Sequence, residues 1–284
     1  MNRSTYIKGT YKETDLKWIV LGSGTSHGIP VIGCSCPVCR SRDSKNKRYR
    51  SSCYVKGKEG ERIVIDTCPE FRLQCLRARI KRLDALLITH SHADHLHGLD
   101  DLRPLTYNNP LPLYTNSIAL REIEERFNYI WKNTQKGGGK PRIIAQLATK
   151  EFSVGNLKIT PLPVMHGSLE ITAWLIKEGD KSAAYITDCS FIPDSTVTKL
   201  DTISFLIIDG LRIGKHPTHF SFEEALQCAQ SIPSPNLKKV FLTHISHETS
   251  HNSIIKYCKD WCKKNNYDHI KIYPAFDGLE IDIN

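Results

Sequence analysis

The sequence contains no long hydrophobic run. No stretch of about 18 consecutive apolar residues, the length that a membrane-spanning helix needs, occurs in its 284 residues. The first residues, MNRSTYIKGTYKETDLK, lack the apolar segment of a secretory signal peptide. Neither an internal repeat of fixed period nor a low-complexity segment is present. These absences predict a cytoplasmic protein with no membrane partner, and the 40% of apolar residues is enough for a substantial core.

The charge balance is positive. There are 39 Lys and Arg residues against 30 Asp and Glu residues, a net charge of +9 at pH 7, spread along the chain. Such a surface attracts anions, including phosphate esters and nucleic acid. The ten cysteines of a cytoplasmic chain of this size indicate buried thiols or metal ligands rather than a disulfide framework.

Short β-rich runs alternate with helical stretches, which predicts an α/β fold in a single domain over residues 1–284. Strands are expected at Lys17–Leu21, in a hairpin over Cys53–Asp66, and at Leu83–Thr89, Leu111–Tyr114, Leu157–Pro163, Ile171–Ile176, Ala183–Thr187, Phe205–Asp209, Lys239–Thr243 and Ile270–Tyr273. Helices are expected from about Pro69, and at Ser117–Phe127, Ser221–Ser231 and Ser253–Lys264. Ser221 and Glu224 have the spacing of a capping box.

The region from Arg103 to Ala148 has the least regular pattern, and it contains the sequence KGGGK at residues 136–140. Long irregular loops in compact domains often serve as lids over an active site. The pattern therefore predicts a substrate lid at about residues 103–148, with a surface insertion that has no role as the alternative.

The densest cluster of chemically active side chains is THSHADH, residues 89–95. It follows a predicted strand, and it supplies His90, His92, Asp94 and His95, separated by the small residues Ser91 and Ala93. Imidazoles and carboxylates are ligands of Zn²⁺ and related cations. The motif therefore predicts a metal centre at the carboxyl end of a strand.

Three later strands each end on a further ligand type. His166 follows ITPLPVM, Asp188 follows AAYIT, and His244 follows KKVFLT. Strands of one parallel or mixed sheet bring their ends to one edge, where α/β proteins form their sites. The pattern predicts two divalent ions about 3.5 to 4 Å apart that share Asp188 and hold a nucleophilic hydroxide between them.

A second cluster, GCSCPVC, places Cys34, Cys36 and Cys39 in a loop at about residues 33–40. Three thiolates need a fourth ligand, and His247 in THISH is the candidate because it lies three residues after His244. Three cysteines and one histidine form a common structural zinc site. Buried, reduced thiols are the alternative.

The HxHxDH motif followed by separated His, Asp and His resembles the metallo-β-lactamase superfamily over almost the whole chain. The resemblance implies an αββα sandwich of two mixed sheets flanked by helices. By the same likeness, His90, His92 and His166 would hold one metal, and Asp94, His95 and His244 the other, with Asp188 between them.

The segments LGSGTSHGIPVIGCSCPVC, RSS, IDTCPEFR, HSHADHLHGLDDLRP and THISH together resemble the PhnP-type phosphodiesterases. That resemblance implies hydrolysis of a small, cyclic phosphodiester, a catalytic pair of manganese or zinc ions, and a structural zinc on the three cysteines and His247. It leaves the natural substrate and the oligomeric state open, with a homodimer among the options.

A phosphodiesterase also needs a proton donor for the leaving oxygen. His219 is the predicted donor, since it lies just before a helix start whose free N–H groups favour anions and since related enzymes have a catalytic histidine in this region. With Asp94 it completes the predicted catalytic residues, and His216 is its competitor. Asp66, Asp277, His27 and His97 are weaker candidates for orienting the ligand histidines.

Three other functions remain open at this stage. A transfer-RNA 3′-end endoribonuclease would use the same ligands, but no basic RNA-grasping arm is evident, which leaves nucleic acid the less favoured partner. Thioester or other carbonyl hydrolysis is also open to this fold. A non-catalytic zinc-stabilised scaffold is disfavoured because all seven expected ligands are present.

Overall fold

In the computed structural model, residues 16–132 and 139–282 are described. They form two seven-stranded mixed sheets that pack face to face, with helices on the outer face of each sheet. This arrangement is the predicted αββα sandwich, and that prediction is confirmed. No helix among these residues is both long enough and apolar enough to cross a bilayer.

The first sheet comes mainly from the N-terminal half of the chain. Its strands are β1 (Lys17–Gly22), β2 (Ser52–Lys56), β3 (Arg62–Ile65), β4 (Ala85–Leu87), β5 (Leu111–Thr115) and β6 (Ile143–Leu147), with β14 (Glu280–Asp282) from the end of the chain. Their spatial order is β14-β1-β2-β3-β4-β5-β6. Strands β3 to β6 are parallel, whereas β14, β1, β2 and β3 pair antiparallel.

The second sheet contains β7 (Phe152–Val154), β8 (Leu157–His166), β9 (Leu169–Glu178), β10 (Lys181–Ile186), β11 (Phe205–Asp209), β12 (Lys239–Thr243) and β13 (Lys271–Pro274). Its strands lie in reverse sequence order, from β13 to β7. Strands β10 to β13 are parallel, and β8 runs in the same direction because β9 pairs antiparallel with both β8 and β10. The carboxyl ends of β8, β10, β11 and β12 therefore share one edge.

The helices are α1 (Phe71–Ala78), α2 (Ala93–Leu96), α3 (Ser117–Arg126), α4 (Asp194–Val197), α5 (Phe222–Ser231) and α6 (His251–Lys264). Alternating side chains explain the layers, because neighbours in a strand face opposite sides. In β3, Ile63 and Ile65 belong to the core between the sheets, and Val64 packs in the cluster under α1 and α3. The run FLIID of β11 is buried throughout because both of its faces are covered.

Three strands lie outside the sequence predictions: β6, β7 and β14. Strands β7 and β14 have three residues each, and β14 pairs with β1 from the far end of the sequence. The described part of residues 103–148 contains the end of a 3₁₀ helix (Leu99–Leu105), the predicted β5 and α3, and β6. Strand β6 is the regular element that the sequence did not predict in this region. Residues 136–138 of KGGGK lie outside the described residues, and the lid role stays a prediction.

Candidate metal centre

The histidine motif lies in the loop that follows β4. His90 and His92 belong to the loop itself, and the short helix α2 carries Asp94 and His95 in its first turn. His90, Asp94 and His95 are buried, whereas His92 is exposed. The motif therefore presents four ligand-type side chains at the edge where the strands of both sheets end.

The first group of ligand atoms contains three imidazoles. His90 and His92 meet His166, the last residue of β8, and their ligand atoms lie within 4.8 Å of one another. The ring centroid of His166 lies 5.6 Å from that of His90 and 5.2 Å from that of His92. The structure thus brings together one residue of the second sheet and two of the motif.

The second group contains Asp94, His95, Asp188 and His244, whose ligand atoms again lie within 4.8 Å of one another. Asp188 Oδ1 lies 3.1 Å from His95 Nε2 and 3.0 Å from His244 Nδ1. Its other oxygen lies 3.8 Å from Nε2 of His90, a member of the first group. Asp188 therefore lies between the two groups, where the sequence places the shared ligand.

Hydrogen bonds fix the orientation of several rings. His95 Nδ1 donates to Asp66 Oδ2 at 2.7 Å, and the fully buried Asp66 also accepts the backbone N–H of Thr89 at 2.8 Å. His166 Nδ1 donates to the carbonyl oxygen of Thr218 at 2.7 Å. A proton held on Nδ1 leaves Nε2 with a free lone pair, the form that ligates a metal. The predicted orienting role of Asp66 thus agrees with its contacts.

Several ligand atoms are buried without a hydrogen-bond partner in the described part of the chain. They are His90 Nε2, His95 Nε2 and Asp94 Oδ2. Leaving a buried polar atom unpaired costs about 1–3 kcal/mol, so such atoms are rare without a reason. Unpaired nitrogen and oxygen atoms that face one another fit a bound cation, and the residues present therefore fit the metal pair that the sequence predicts.

The directions of the pKa shifts in the cluster also fit a bound cation. Burial lowers the pKa of His90 well below its usual value, which disfavours the charged ring. Burial acts in the same direction on His95, but the charges of Asp188, Asp94 and Asp66 outweigh it and raise its pKa well above the usual value. The pocket thus favours a positive charge, which a proton on His95 or a cation can supply.

Three residues of the site have a left-handed backbone. Asp66 has φ 63°, Asp188 has φ 52° and His244 has φ 56°. Asp66 directly follows β3, His244 directly follows β12, and Asp188 lies two residues after the end of β10. Residues other than glycine rarely adopt this conformation, although aspartate and histidine do so more often than most, and such residues are found repeatedly at active sites. The sharp turn at each strand end directs the chain away from the sheet edge at the site.

His219 lies beside both groups of ligands. Its Nδ1 donates to Asp209 Oδ2 at 2.8 Å, and its ring stacks on His244 with centroids 4.8 Å apart. One nitrogen of His219 lies within 4.8 Å of the ligand atoms of His166 and Asp188. Burial lowers the pKa of His219 below its usual value. Sequence reasoning missed Asp209, although it ends an apolar strand in the same way as the residues that were found.

His216 lies nearer the solvent, with its ring centroid 5.1 Å from that of His219, and its Nδ1 accepts from Thr218. The predicted capping box is present, because Ser221 Oγ accepts the N–H of Glu224 while the Glu224 side chain accepts the N–H of Ser221. The start of α5 is thus capped and acidic. The expectation that this helix start favours an anion is therefore not supported.

The cysteine cluster also forms as predicted. Nδ1 of His247 lies 3.3 Å from Cys34 Sγ and 3.5 Å from the sulfurs of Cys36 and Cys39. Donation by the backbone N–H of Cys39 is the largest influence on Cys36 and lowers the pKa of its thiol to about 6, whereas burial raises the pKa of Cys39 to about 11. Four ligand atoms that converge in this way fit a tetrahedral zinc ion. All ten cysteines are free.

Substitution of Cys36 with serine is expected to remove one zinc ion per chain and to lower the melting temperature by on the order of 5–10 °C, because a structural zinc site contributes to folding. Metal analysis and thermal unfolding of the purified protein would check both effects. Cys228→Ser is the matched control, since this half-buried thiol on α5 lies outside the cluster. Equal zinc content in the two variants would contradict a zinc site here.

The other predicted positioning residues differ from expectation. Asp277 accepts from the backbone N–H groups of Ser23 and Tyr49, and it contacts no ligand histidine, so its predicted role is wrong. His27 and His97 are both exposed.

Comparison with known proteins agrees with this fold and site. Residues 61–245 match the family model described as "Beta-lactamase superfamily domain", and the chain belongs to that superfamily. Together with the two ligand groups, the match describes a metal-binding hydrolase of the metallo-β-lactamase type.

Within the superfamily, the chain belongs to the PhnP family. A solved structure described as a new diphosphatase from the PhnP family is 35% identical, with a TM-score of 0.80, and the match covers 95% of this chain and 98% of that one. A protein of Porphyromonas gingivalis named octanoyltransferase is 36% identical over 276 residues. That match covers 95% of this chain but 52% of the relative, so the chain spans about half of its length. Zn²⁺-bound PqqB from Methylobacterium extorquens, at 18% identity and a TM-score of 0.75 over 94% of this chain and 100% of that one, shares the fold.

Proposed function

We propose that this protein is a phosphodiesterase that uses two divalent metal ions to hydrolyse a small, cyclic phosphodiester. The position of Asp188 between the two ligand groups supports the proposal most directly. One carboxylate in this position can bind two cations about 3.5–4 Å apart, the spacing of two-metal hydrolases. Phosphoryl chemistry is also named for a relative that is 35% identical to this chain.

The residues present would divide the two ions between the two groups. His90, His92 and His166 would hold one, Asp94, His95 and His244 the other, and Asp188 both. When bound, such a pair supplies an activated water at neutral pH and positive charge for the transition state. Histidine and carboxylate ligands suit Mn²⁺ as well as Zn²⁺, whereas three cysteines and His247 favour a structural zinc.

His219 is the proposed proton donor to the leaving oxygen. Its Nδ1–H donates to the buried Asp209, which leaves Nε2 as the nitrogen available at the site. Donation from Nε2 requires the doubly protonated imidazolium, which gives its second proton to the leaving oxygen and keeps the proton on Nδ1. Asp209 in turn is fixed by the backbone N–H of Cys189 at 2.7 Å. A histidine held in one orientation transfers a proton without first reorganising. His216 has no carboxylate partner of this kind among the described residues.

A diphosphate diester is the second candidate substrate. The observation in its favour is the description of the PhnP-family relative as a diphosphatase. Two metals and His219 could act on a P–O–P linkage as on a P–O–C linkage, because both place charge on the departing oxygen. A diphosphate also carries more negative charge than a simple diester, which suits a chain with a net charge of +9.

Acyl chemistry is a third option because a close relative is named octanoyltransferase. About half of that relative lies outside the match. Its name therefore describes a longer protein, of which this chain matches only one part. Histidine and carboxylate clusters in this fold can also act on carbonyl groups. Thioester hydrolysis does not need a proton donor held in place, because a thiolate can depart without first being protonated. The Asp209–His219 pair therefore favours phosphoryl over thioester substrates.

Four model substrates would test the proposal: bis(p-nitrophenyl) phosphate, its monoester, a dinucleoside diphosphate and an octanoyl thioester. Protein loaded with Mn²⁺ or Zn²⁺ is expected to cleave the phosphodiester or the diphosphate at least about tenfold faster than the monoester, and to lose this activity in Asp94→Ala because one ion loses a ligand. Asp101→Ala is the matched control, since Asp101 makes no ion pair among the described residues. Cleavage of the thioester alone would overturn the proposal.

A further inference from the structure

His92 differs from the other histidines of the metal centre. The rings of His90, His95, His166 and His244 each make a hydrogen bond to a neighbouring side chain or carbonyl. Within the described ranges, the His92 ring has no hydrogen-bond partner, and the residue is exposed. A ligand histidine usually needs such a partner to hold its ring in place. Apart from ring contacts with His90 and His166, its orientation therefore depends on the backbone that carries it.

That backbone is held from the outside by helix α3. Ser91, the residue between His90 and His92, is 3% exposed, and its carbonyl oxygen accepts from Arg126 Nη1 at 2.5 Å. Its hydroxyl donates to the carboxylate of Glu122. The same oxygen of Glu122 accepts from Arg126 Nη2 at 2.9 Å. The hydroxyl and the carbonyl oxygen of Ser91 are thus bound by two side chains one helical turn apart.

Helix α3 is itself fixed to the second sheet at its start. The Asn116 side chain accepts the N–H of Ala119 and donates to Thr172 Oγ1 in β9 at 3.2 Å. The N–H of Thr172 donates to the carbonyl oxygen of Thr89, which begins the motif, at 3.0 Å. The helix therefore presents Glu122 and Arg126 from a position that is tied to the same loop.

We propose that Glu122 and Arg126 are positioning residues that set the metal affinity of the His90–His92–His166 group. The inference rests on the proposed function, since it assumes that this group holds one ion of a pair. The other group does not depend on Ser91 in this way: His95 is held by Asp66, and its carbonyl oxygen accepts the N–H of Thr67 at 2.7 Å. Loss of the contacts to Ser91 should therefore weaken one metal site and spare the other.

Titration with Mn²⁺ of protein that keeps its structural zinc but has lost the ions of the catalytic centre, followed by electron paramagnetic resonance, tests this selectivity. Mn²⁺ prefers oxygen and nitrogen ligands, so the cysteine cluster does not interfere. Glu122→Ala and Arg126→Gln are expected to weaken binding of one of the two ions about tenfold, because outer partners of metal ligands contribute about 10- to 100-fold to affinity. The spectrum of a coupled pair should give way to that of an isolated ion at intermediate Mn²⁺ concentrations.

Glu125→Ala and Arg121→Gln are matched controls, because they make the same changes on α3 at exposed positions that have no ion pair among the described residues. Ser91→Ala should weaken binding of the same ion. Adding Glu122→Ala to it should lower the affinity little further, since both substitutions remove the same hydrogen bond between Ser91 and Glu122. Equal weakening of both ions, or affinities equal to the controls, would overturn the inference while leaving the proposed function intact. A wild-type protein that binds no Mn²⁺ or Zn²⁺ pair would overturn both.

Discussion

Replacement of Asp188 with asparagine is expected to lower phosphodiester turnover by about 10³-fold or more, a loss of about 4 kcal/mol in transition-state stabilisation. Asparagine has nearly the same shape and tolerates the left-handed backbone at this position, φ 52°. Its amide is neutral, however, and cannot be shared by two cations. Metal analysis should accordingly show fewer than two ions in the catalytic centre, and steady-state kinetics should show the fall in turnover.

The control for this substitution is Asp201→Asn, which makes the same chemical change at an exposed position. Thermal unfolding of both variants without metal distinguishes a lost ligand from a lost fold. If Asp188→Asn retained two ions and turnover within tenfold of the wild type, Asp188 would not be the shared ligand, and the two-metal proposal would lose its main support.

His219→Ala is expected to reduce turnover by about 10²–10⁴-fold, the usual contribution of a general acid, without a change in metal content. The loss should depend on the leaving group. An alkoxide requires a proton as it departs, so an alkyl diester should lose the full factor. A p-nitrophenolate departs without one, so its diester should lose much less. Kinetics with the two diesters would measure this difference directly.

His216→Ala separates the two candidate histidines, because this ring lies next to His219 but outside the ligand groups. It is expected to change turnover less than about fivefold, as removal of a neighbouring ring leaves proton transfer intact. Two outcomes would contradict the assignment. A leaving-group effect in His216→Ala would make His216 the proton donor. The loss of a metal ion in His219→Ala would make His219 a ligand, which its distance of less than 4.8 Å from the ligand atoms of His166 and Asp188 allows.

The strand-end pattern is the part of the site that the sequence predicts best. Imidazoles and carboxylates are costly to bury, so a histidine or aspartate directly after an apolar run indicates a functional site. His166, Asp188 and His244 all come together in the ligand groups, as expected. The same pattern applies to Asp209 after FLII, but a single sequence does not show which strand ends face the ligands and which lie behind them. Asp209 lies behind them, where it holds His219.

Contacts between distant segments explain most of what could not be predicted. Strand β14 has three residues and no distinctive pattern, and it is a strand because β1 provides a partner. Asp277 resembles a site residue in sequence, but the turn that contains it packs against Ser23 and Tyr49. Glu122 and Arg126 resemble an ordinary surface pair at i and i+4 on a helix, and nothing in their spacing indicates that Ser91 lies between them and the metal centre.

The left-handed backbone at Asp66, Asp188 and His244 also limits how these positions can change in evolution. Glutamate carries the same carboxylate as aspartate, but aspartate, asparagine and histidine adopt positive φ several times more often than other residues with side chains. These three residues are therefore selected by the shape of the chain as well as by a cation. A descendant that lost its catalytic role would still be under pressure to keep Asp, Asn, His or Gly at the three turns. For this reason, the survival of these residue types in a distant homologue is weaker evidence of retained activity than the survival of His90, His92 or His166.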